Sequence, residues 1–438
     1  MRIRNIVSLD RHMREIVHGA SITLGIRLVT GVLIFGLNIV VARTLGAHQA
    51  GLFFLALTVI TIAGVLGRLG LDSAVVRFVA SAAVSGRWDR VKGVARYAIL
   101  VTLGASLTLA AAVALSAGWM AESVFRKPTL TAPLMWMSLA IVPFALHQLG
   151  AQLLKGMKRI FFSQITLAIL PAAAIPAVLL LGNRFGTSGA AAGYAAAAGF
   201  AVLISLLLWR VALHGRSGQA VLEQRSELMD AARPLFALAA LNLVMSWSAS
   251  FLVGVWRPAS DVALYNVAHR TAFLTTLMLT SVNSIAAPKF AELYHTRDLE
   301  ALGATARDSA RMMVVLALPV LLAFVVFPGF VMGLFGPEFE VGASVLVILA
   351  LGQFVNVSTG SVGFVLIMTG RERMARNNAA VAASVNIVLQ VLLIPRLGAV
   401  GAAIATAVSV ALLNLTAAYL VHRSLGIWTL PVRLGRHK

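Results

Sequence analysis

Apolar segments long enough to cross a lipid bilayer recur along the entire chain. A membrane-spanning helix needs about 20 consecutive, mainly apolar residues. Hydrophobic residues make up 59% of the 438 residues and charged residues only 12%, a composition outside the range of soluble domains. We therefore predict an all-α, polytopic membrane protein with about 12 transmembrane helices. Their approximate bounds are 17–42, 49–70, 94–118, 130–152, 161–182, 188–209, 234–256, 262–287, 309–330, 342–368, 378–395 and 399–421.

Lysine and arginine are distributed unevenly between the two sides of these helices. With the N-terminus on the cytoplasmic side, 27 of the 36 Lys and Arg residues fall in cytoplasmic segments, 6 fall in outward turns and 3 fall within spans. Positive charge is retained on the cytoplasmic side of membrane proteins. We therefore expect both termini in the cytoplasm. The formal net charge of +20 then reflects topology and attraction to anionic lipids, and it requires no nucleic-acid partner.

Four short stretches of the first half recur in the second half at a nearly constant spacing. Those beginning at residues 50, 123, 155 and 185 resemble those beginning at 263, 333, 369 and 397. The pattern predicts two lobes of six helices that share one orientation and enclose a cavity between them. The predicted organisation is an N-terminal lobe over 1–212, a polar cytoplasmic linker over 213–233 and a C-terminal lobe over 234–438.

Five motifs spread over the chain carry a resemblance to a known family. They are VARTLGAHQAGLFFLAL from residue 41, GLDSAVVRFVA from residue 70, GRWDRVKG from residue 86, LYNVAHR from residue 264 and LGAVGAAIATA from residue 397. They resemble the polysaccharide and oligosaccharide-lipid flippases of the multidrug/oligosaccharidyl-lipid/polysaccharide (MOP) exporter superfamily. The resemblance extends over essentially the whole chain.

This resemblance implies a V-shaped transporter with two lobes, the fold of the MATE and other MOP transporters, in the inner membrane of a bacterium. Such a transporter works by alternating access. It would carry an undecaprenyl-pyrophosphate-linked oligosaccharide, such as a polysaccharide or O-antigen repeat unit, from the cytoplasmic to the periplasmic leaflet. The implied partners are that lipid-linked glycan, the membrane lipids and other membrane proteins of glycan assembly.

Two arginines from different lobes lie within predicted spans. Arg27 lies about 20 Å along the first helix, by the rise of about 1.5 Å per residue, and Asn38 shares its face. Arg270 borders a polar stripe that contains Asn266 and His269. Guanidinium groups from both sides of one cavity are suited to gripping a pyrophosphate through charge-assisted hydrogen bonds. The alternatives are an Arg27 that pins helices by bonding backbone carbonyls and an Arg270 that extends to the outer head groups.

Arg68 and His147 are further candidates for the cavity wall. Arg68 has Asp72 one helical turn further on, so a local salt bridge is the competing explanation. His147 lies on the fourth span, where a histidine also serves as a hydrogen-bonded packing element between helices. Both residues therefore stay candidates for substrate binding, with a structural role as the alternative.

The predicted membrane spans lack the carboxylate and thiol groups that ion-coupled pumps and metal sites use. The sequence has no cysteine and places none of its 16 acidic residues deep in a predicted span. A pump that exchanges cationic drugs for protons or sodium generally needs a buried carboxylate. The drug-exporter branch is therefore disfavoured, and we expect no metal and no cofactor. The membrane potential could drive transport, while proton or sodium coupling stays open.

Three other functions remain as alternatives to the flippase of polysaccharide precursors. They are a lipid II flippase for peptidoglycan synthesis, a MATE-type multidrug or cation antiporter, and a scaffold for glycan assembly that transports nothing. A membrane-embedded glycan polymerase or ligase would need catalytic side chains in a sizeable outward loop. The outward turns are short and hold no group of histidine and carboxylate residues, so we do not expect an enzyme.

Overall fold

Helices make up almost the whole of the molecule. The structure is a computed structural model that describes residues 11–216, 218–221 and 225–430. Within these residues the α-helices are α1 Arg11–Gly67, α2 Leu71–Val84, α3 Trp88–Trp119, α4 Thr131–Gly156, α5 Ile160–Ala212, α6 Arg225–Trp256, α7 Ala259–Ala272, α8 Leu277–His295, α9 Leu299–Val326, α10 Pro328–Gly333, α11 Ala343–Thr359, α12 Val362–Met368 and α13 Glu372–Leu425. We call α1–α5 the N-terminal half and α6–α13 the C-terminal half.

Three long helices each cross the membrane twice, because a glycine breaks each of them near its middle. The breaks are at Gly46 (φ 71°), Gly186 (φ 59°) and Gly398 (φ 57°). A positive φ costs glycine little and other residues more. Among the described residues, eight helical segments are long and apolar enough to span a bilayer. Three of them are these double passes, and with the α7–α8 segment they give twelve crossings, which confirms the predicted fold class.

The internal duplication has a counterpart in the backbone. The helices α5 and α13 begin at Ile160 and Glu372, which are 212 positions apart. Their glycine breaks at Gly186 and Gly398 are separated by the same 212 positions and have similar backbone angles, with ψ at −143° and −133°. The last two crossings of each half are therefore built in the same way.

Two spans predicted as continuous helices are interrupted in the structure. A 3-10 turn over Phe273–Thr276 separates α7 from α8, where the sequence predicted one helix over 262–287. The hydroxyl groups of Thr275 and Thr276 donate to backbone carbonyls three residues earlier, which offers the chain an alternative to the α-helical hydrogen bonds. The span predicted over 342–368 is interrupted at Gly360 (φ 75°, ψ −150°) between α11 and α12.

The apolar cores show where the two halves meet. We call the end of the molecule where α1 begins and α13 ends the terminal end. One large core contains residues of both halves, such as Phe53 and Phe335, and lies toward the opposite end. Toward the terminal end, each half has a separate smaller core. Apart from α6, which packs against the N-terminal half at the terminal end, the halves share a core at the opposite end and have separate cores toward the terminal end.

The helix α6 belongs by packing to both halves. It begins at Arg225, inside the segment 213–233 predicted as a linker. Its residues Leu228 and Ala232 lie in the terminal-end core of the N-terminal half. Farther along the same helix, Ala249 and Val253 lie in the core that the halves share.

Candidate functional site

A cavity of about 400 Å³ lies between the two halves, and both polar and apolar residues line it. One wall comes from α1 of the N-terminal half, and the other comes from α6, α7 and the 3-10 turn after α7. The 3-10 turn that interrupts the span predicted over 262–287 therefore lies at the cavity. The lining residues are Gly31, Ile34, Phe35, Asn38, Ser246, Trp247, Ser250, Asn266, His269, Arg270, Phe273 and Leu274.

Arg270 is held in this cavity by a neutral partner from the other half. Its Nη1 atom donates a 3.1 Å hydrogen bond to Oδ1 of Asn38. The amide of Asn38 is fixed in turn, because its Nδ2 atom donates to the carbonyl of Ile34 at 2.7 Å. The bond therefore joins α1 to α7 across the cavity without neutralising the charge of Arg270.

The Arg270 guanidinium also keeps unused bonding capacity. Its Nη2 atom is buried and has no hydrogen-bond acceptor among the described residues. The guanidinium carbon lies 5.3 Å from the ring centre of Phe54 and 5.8 Å from that of Trp247, distances at which a cation is attracted to an aromatic face. Among the described residues that line the cavity, Arg270 alone carries a permanent charge. The site is therefore suited to an anionic group.

Neutral polar groups complete the wall on the side of α7. The hydroxyl of Ser250 donates to Oδ1 of Asn266 at 3.1 Å, and Nδ2 of Asn266 donates to the carbonyl of Val262. The ring of His269 stacks on Tyr265 with 5.6 Å between ring centres. These contacts fix the orientation of Asn266 and His269, and they present amide, imidazole and hydroxyl groups that are suited to bonding sugar hydroxyls.

The sequence-predicted residues fall into two groups. Asn38, Asn266, His269 and Arg270 all line the central cavity. Arg27 is partly buried and lies one helical turn before Gly31, toward the terminal end. By the rise of about 1.5 Å per residue it is roughly 16 Å along α1 from Asn38. The two guanidinium groups that the sequence predicted around one cavity are therefore at different depths.

Arg68 lines a second cavity of about 310 Å³ on the terminal side of the first. Its Nε atom lies 3.2 Å from Oδ2 of Asp72, which is the local ion pair that the sequence offered as an alternative. Ser246 and Trp247 of α6 line both cavities. Arg68 therefore has its local partner and also lies next to the central site.

His147 lies in the interior of the N-terminal half. It is fully buried, and its Nε2 atom is 2.8 Å from the backbone carbonyl of Thr166. This contact joins α4 to α5. His147 lines neither of the two cavities, and its geometry is that of the packing role given as the alternative.

Sequence reasoning missed the aromatic residues that flank Arg270. Phe54 and Trp247 lie in apolar spans, where an aromatic residue gives no signal that distinguishes a cavity wall from lipid contact. The nearest signal for Trp247 is its position between Ser246 and Ser248 on α6, since a polar face on a membrane helix usually lies toward protein or water.

Hydrogen bonds between the halves close the opposite end of the molecule. Arg43 donates from Nε to the carbonyl of Leu334 at 2.8 Å, and Oε2 of Glu338 accepts from the backbone N–H of Ala47 at 2.8 Å. Lys127 donates from Nζ to the carbonyl of Gly254 at 2.6 Å. Burial lowers the pKa of Lys127, and the nearby Asp261 carboxylate partly offsets this effect.

Two similar helical halves around a central cavity, with a shared core at one end, are the two-lobed architecture that the sequence resemblance implied. The chain belongs to the polysaccharide biosynthesis protein family, whose model matches residues 16–294. Membership of this family and the superfamily fold confirm the resemblance seen in the motifs.

Two curated relatives, both named as probable flippases, come from Haloferax volcanii. The chain is 24% identical over 381 residues to the probable low-salt glycan biosynthesis flippase Agl15, covering 84% of this chain and 76% of that protein. It is 29% identical over 189 residues to the probable flippase AglR, covering 42% of this chain and 39% of that protein.

Solved structures show the same fold at low sequence identity. The lipid II flippase MurJ in an inward closed conformation superposes with a TM-score of 0.74 at 13% identity, covering 92% of this chain and 87% of that chain. An inward-facing multidrug resistance transporter of the MATE family has a TM-score of 0.72 at 15% identity, covering 93% and 98% of the two chains.

Proposed function

We propose that the protein is a flippase that moves a polyprenyl-linked oligosaccharide from the cytoplasmic to the outer leaflet of the cytoplasmic membrane. The observation that carries this proposal is the Arg270 guanidinium, which lies between the halves with one nitrogen unpaired and no acidic side chain on the described lining of its cavity. The glycan flippase Agl15, similar over most of its length, supports the substrate class. Undecaprenyl pyrophosphate is the proposed carrier.

The phosphate group is the part of such a substrate that Arg270 recognises. Phosphate oxygens accept charge-assisted hydrogen bonds from a guanidinium in a planar, bidentate geometry. Arg270 then exchanges its neutral partner Asn38 for the phosphate or binds both. The sugars occupy the cavity against Ser250, Asn266 and His269, and the polyprenyl tail stays in the lipid.

We propose that the arrangement of the halves is a state open toward the cytoplasm. The distribution of Lys and Arg predicts cytoplasmic termini, and on that orientation the terminal end, where the halves have separate cores, faces the cytoplasm. The hydrogen bonds of Arg43, Glu338 and Lys127 then seal the outer side. Transport requires these bonds to break while the halves close at the cytoplasmic side.

The membrane potential is sufficient to bias this movement outward. Moving one charge through a potential of about 100 mV is worth about 2.3 kcal/mol. A pyrophosphate that carries about two negative charges would gain roughly 4 to 5 kcal/mol on moving outward through a membrane that is negative inside. We therefore propose that the potential drives transport without a bound cofactor.

An arginine variant with a matched control tests the proposal. The change Arg270→Gln keeps a polar side chain but removes the charge, so outward movement of a lipid-linked oligosaccharide should fall at least tenfold, the size expected for one lost charge-assisted hydrogen bond. Arg233→Gln is the control, because Arg233 is an exposed arginine of α6 paired with Asp230. Translocation is measured by labelling the glycan selectively on the outer leaflet. Equal translocation by both variants at equal protein levels would favour the scaffold instead.

A further inference from the structure

The cavity beside Arg68 has the features of a second binding site. It holds about 310 Å³ at the junction of the terminal end of α1, the start of α2 and the middle of α6. Polar residues lie on two of its walls, with Arg68, Asp72 and Ser73 facing Asn242 and Ser246. Because Asn242 and Ser246 are four residues apart on α6, they lie on one face of that helix.

Arg68 is buried in this wall with only part of its bonding capacity used. The residue is 8% exposed, and its Nε atom is 3.2 Å from Oδ2 of Asp72. Its Nη1 atom is buried and has no acceptor among the described residues. The side chain of Asp72 is more accessible, at 24% exposure. The ion pair therefore compensates the charge of Arg68 and leaves one nitrogen for a further oxygen.

The second cavity is continuous in its lining with the central one. Ser246 and Trp247 contribute to both, and Trp247 also lies beside the Arg270 guanidinium. Two buried arginines, each with one unpaired terminal nitrogen, therefore stand on the two sides of the same turn of α6. Arg68 is the one on the terminal side.

We propose that the Arg68 cavity is an entry subsite that binds the phosphate group of the lipid-linked substrate before that group reaches Arg270. The inference rests on the proposed function. The ligand class is a phosphate ester of a polyprenyl lipid, and Asp72 is the anion with which that phosphate competes for Arg68.

The competing carboxylate gives the subsite its properties. A buried arginine without a counter-ion is strongly destabilising, so Asp72 stabilises the empty site. An arriving phosphate brings its own negative charge to the unpaired nitrogen of Arg68, and it is repelled by Asp72. Repulsion by Asp72 therefore weakens phosphate binding at this subsite. The phosphate can then move on to Arg270, whose partner Asn38 is neutral.

This arrangement predicts opposite effects for the two members of one ion pair. The variant Arg68→Gln should weaken binding of undecaprenyl monophosphate about tenfold, because it removes a charge-assisted hydrogen bond. The variant Asp72→Asn should tighten binding several-fold, because it removes the competing charge and keeps the shape. Binding is measured on the full-length protein in neutral-lipid nanodiscs with Arg270→Gln also present, so that the stronger Arg270 site does not mask the subsite, and Arg233→Gln in the same background serves as the control.

A purely structural ion pair gives a different result. Loss of either partner would then lower thermal stability and binding together, and weaker binding by Asp72→Asn would overturn the subsite. Unchanged binding by both variants would also overturn it. If Arg68→Gln does not fold, Asp72→Asn alone decides, since it leaves the arginine in place.

Two further measurements are needed. One distinguishes failure of the subsite from failure of the proposed function, and the other distinguishes the substrate phosphate from other phosphate compounds. If Arg270→Gln alone weakens binding relative to wild type while the Arg68 and Asp72 variants do not change the binding that remains, the subsite is wrong and the proposed function stands. If none of these variants changes binding, both are wrong. Competition by inorganic phosphate that strengthens in Asp72→Asn supports a phosphate subsite. Competition by phosphatidylglycerol alone would assign the cavity to membrane lipid and overturn the entry role.

Discussion

The Nη1 atom of Arg270 lies 3.1 Å from Oδ1 of Asn38, a residue 232 positions away in the other half. The positive charge of Arg270, which lies between the halves, therefore has the neutral amide of Asn38 as its hydrogen-bond partner. A carboxylate at the same place would form an internal salt bridge, and the site would then bind an anion more weakly. The neutrality of position 38 is therefore central to the proposed function.

Changing Asn38 to aspartate tests this point. The change Asn38→Asp places a negative charge on the Arg270 guanidinium with almost no change in shape. We expect at least a tenfold loss of outward glycan movement, since phosphate must now displace a charge-assisted bond. The thermal stability should not fall, because the new pair is attractive. Outer-leaflet labelling and thermal unfolding measure the two effects.

The matched control is Asn38→Ala, which removes the partner without supplying a charge. It should reduce glycan movement less than Asn38→Asp does, about threefold for loss of one neutral hydrogen bond. Equal losses in the two variants would show that the amide itself matters and that the charge at position 38 does not.

The glycine at the break in α13 should be among the most sensitive positions of the fold. Gly398 has a φ of 57°, and an added Cβ would collide with the Asp261 carboxylate. The change Gly398→Ala is expected to cost at least 1 to 2 kcal/mol from the left-handed backbone alone, with the collision in addition. Thermal unfolding measures the loss.

Gly104→Ala is the control for this substitution. Gly104 lies on α3 with no atom within 4 Å of the position an added Cβ would take, and alanine is the better helix former. Its stability should stay the same or rise. A similar loss in both variants would contradict the role given to the break.

Composition made most of the fold predictable. Apolar length alone predicts the twelve crossings, and the repeated stretches beginning at residues 185 and 397 contain the glycines at which α5 and α13 break. The 3-10 turn after α7 was not predicted, because Phe273–Thr276 is apolar enough to continue a helix and the competing threonine bonds depend on local packing. The start of α6 was missed because its first turns are polar and are held by burial of Leu228 in the N-terminal half.

The site was less predictable than the fold. Polar residues in apolar spans are rare enough to be found from sequence, and this gave Asn38, Asn266, His269 and Arg270. Depth along the cavity could not be assigned, because helix rise gives a position along one helix and no position relative to its neighbours. For that reason Arg27 and Arg270 were expected at one phosphate, whereas they lie at different depths.

Raising the pH should stabilise the outer seal through Lys127. Burial lowers the pKa of this amine below its usual 10.5, so the unfolded chain binds a proton more tightly than the folded protein does. Stability then rises with pH between the lowered pKa and about 10.5. The difference in thermal stability between wild type and Lys127→Met should therefore shift in favour of wild type across this window. A shift in favour of Lys127→Met, or no shift, would contradict the burial of the charged amine.

Glu338 should control how often the outer side opens. Its carboxylate accepts from the backbone N–H of Ala47, next to the break at Gly46, and so joins the two halves. Glu338→Ala removes a hydrogen bond to a charged group, for which about 1.5 to 3 kcal/mol is typical, so the outward-open population should rise at least tenfold. The chain has no native cysteine, which makes Ser250→Cys in the central cavity a clean reporter.

The outward-open population is measured with a thiol reagent that cannot cross the membrane and is added from outside. Ser250→Cys should react at least about tenfold faster in the Glu338→Ala background, because the label reaches the cavity only when the outer seal is open. Glu340→Ala is the matched control, since Glu340 is an exposed carboxylate of the same 3-10 helix, Pro337–Gly342, and forms no hydrogen bond with the described residues of the N-terminal half. Equal labelling in the two backgrounds would mean that the bond from Ala47 to Glu338 does not limit opening, and the seal would then depend on Arg43 and Lys127.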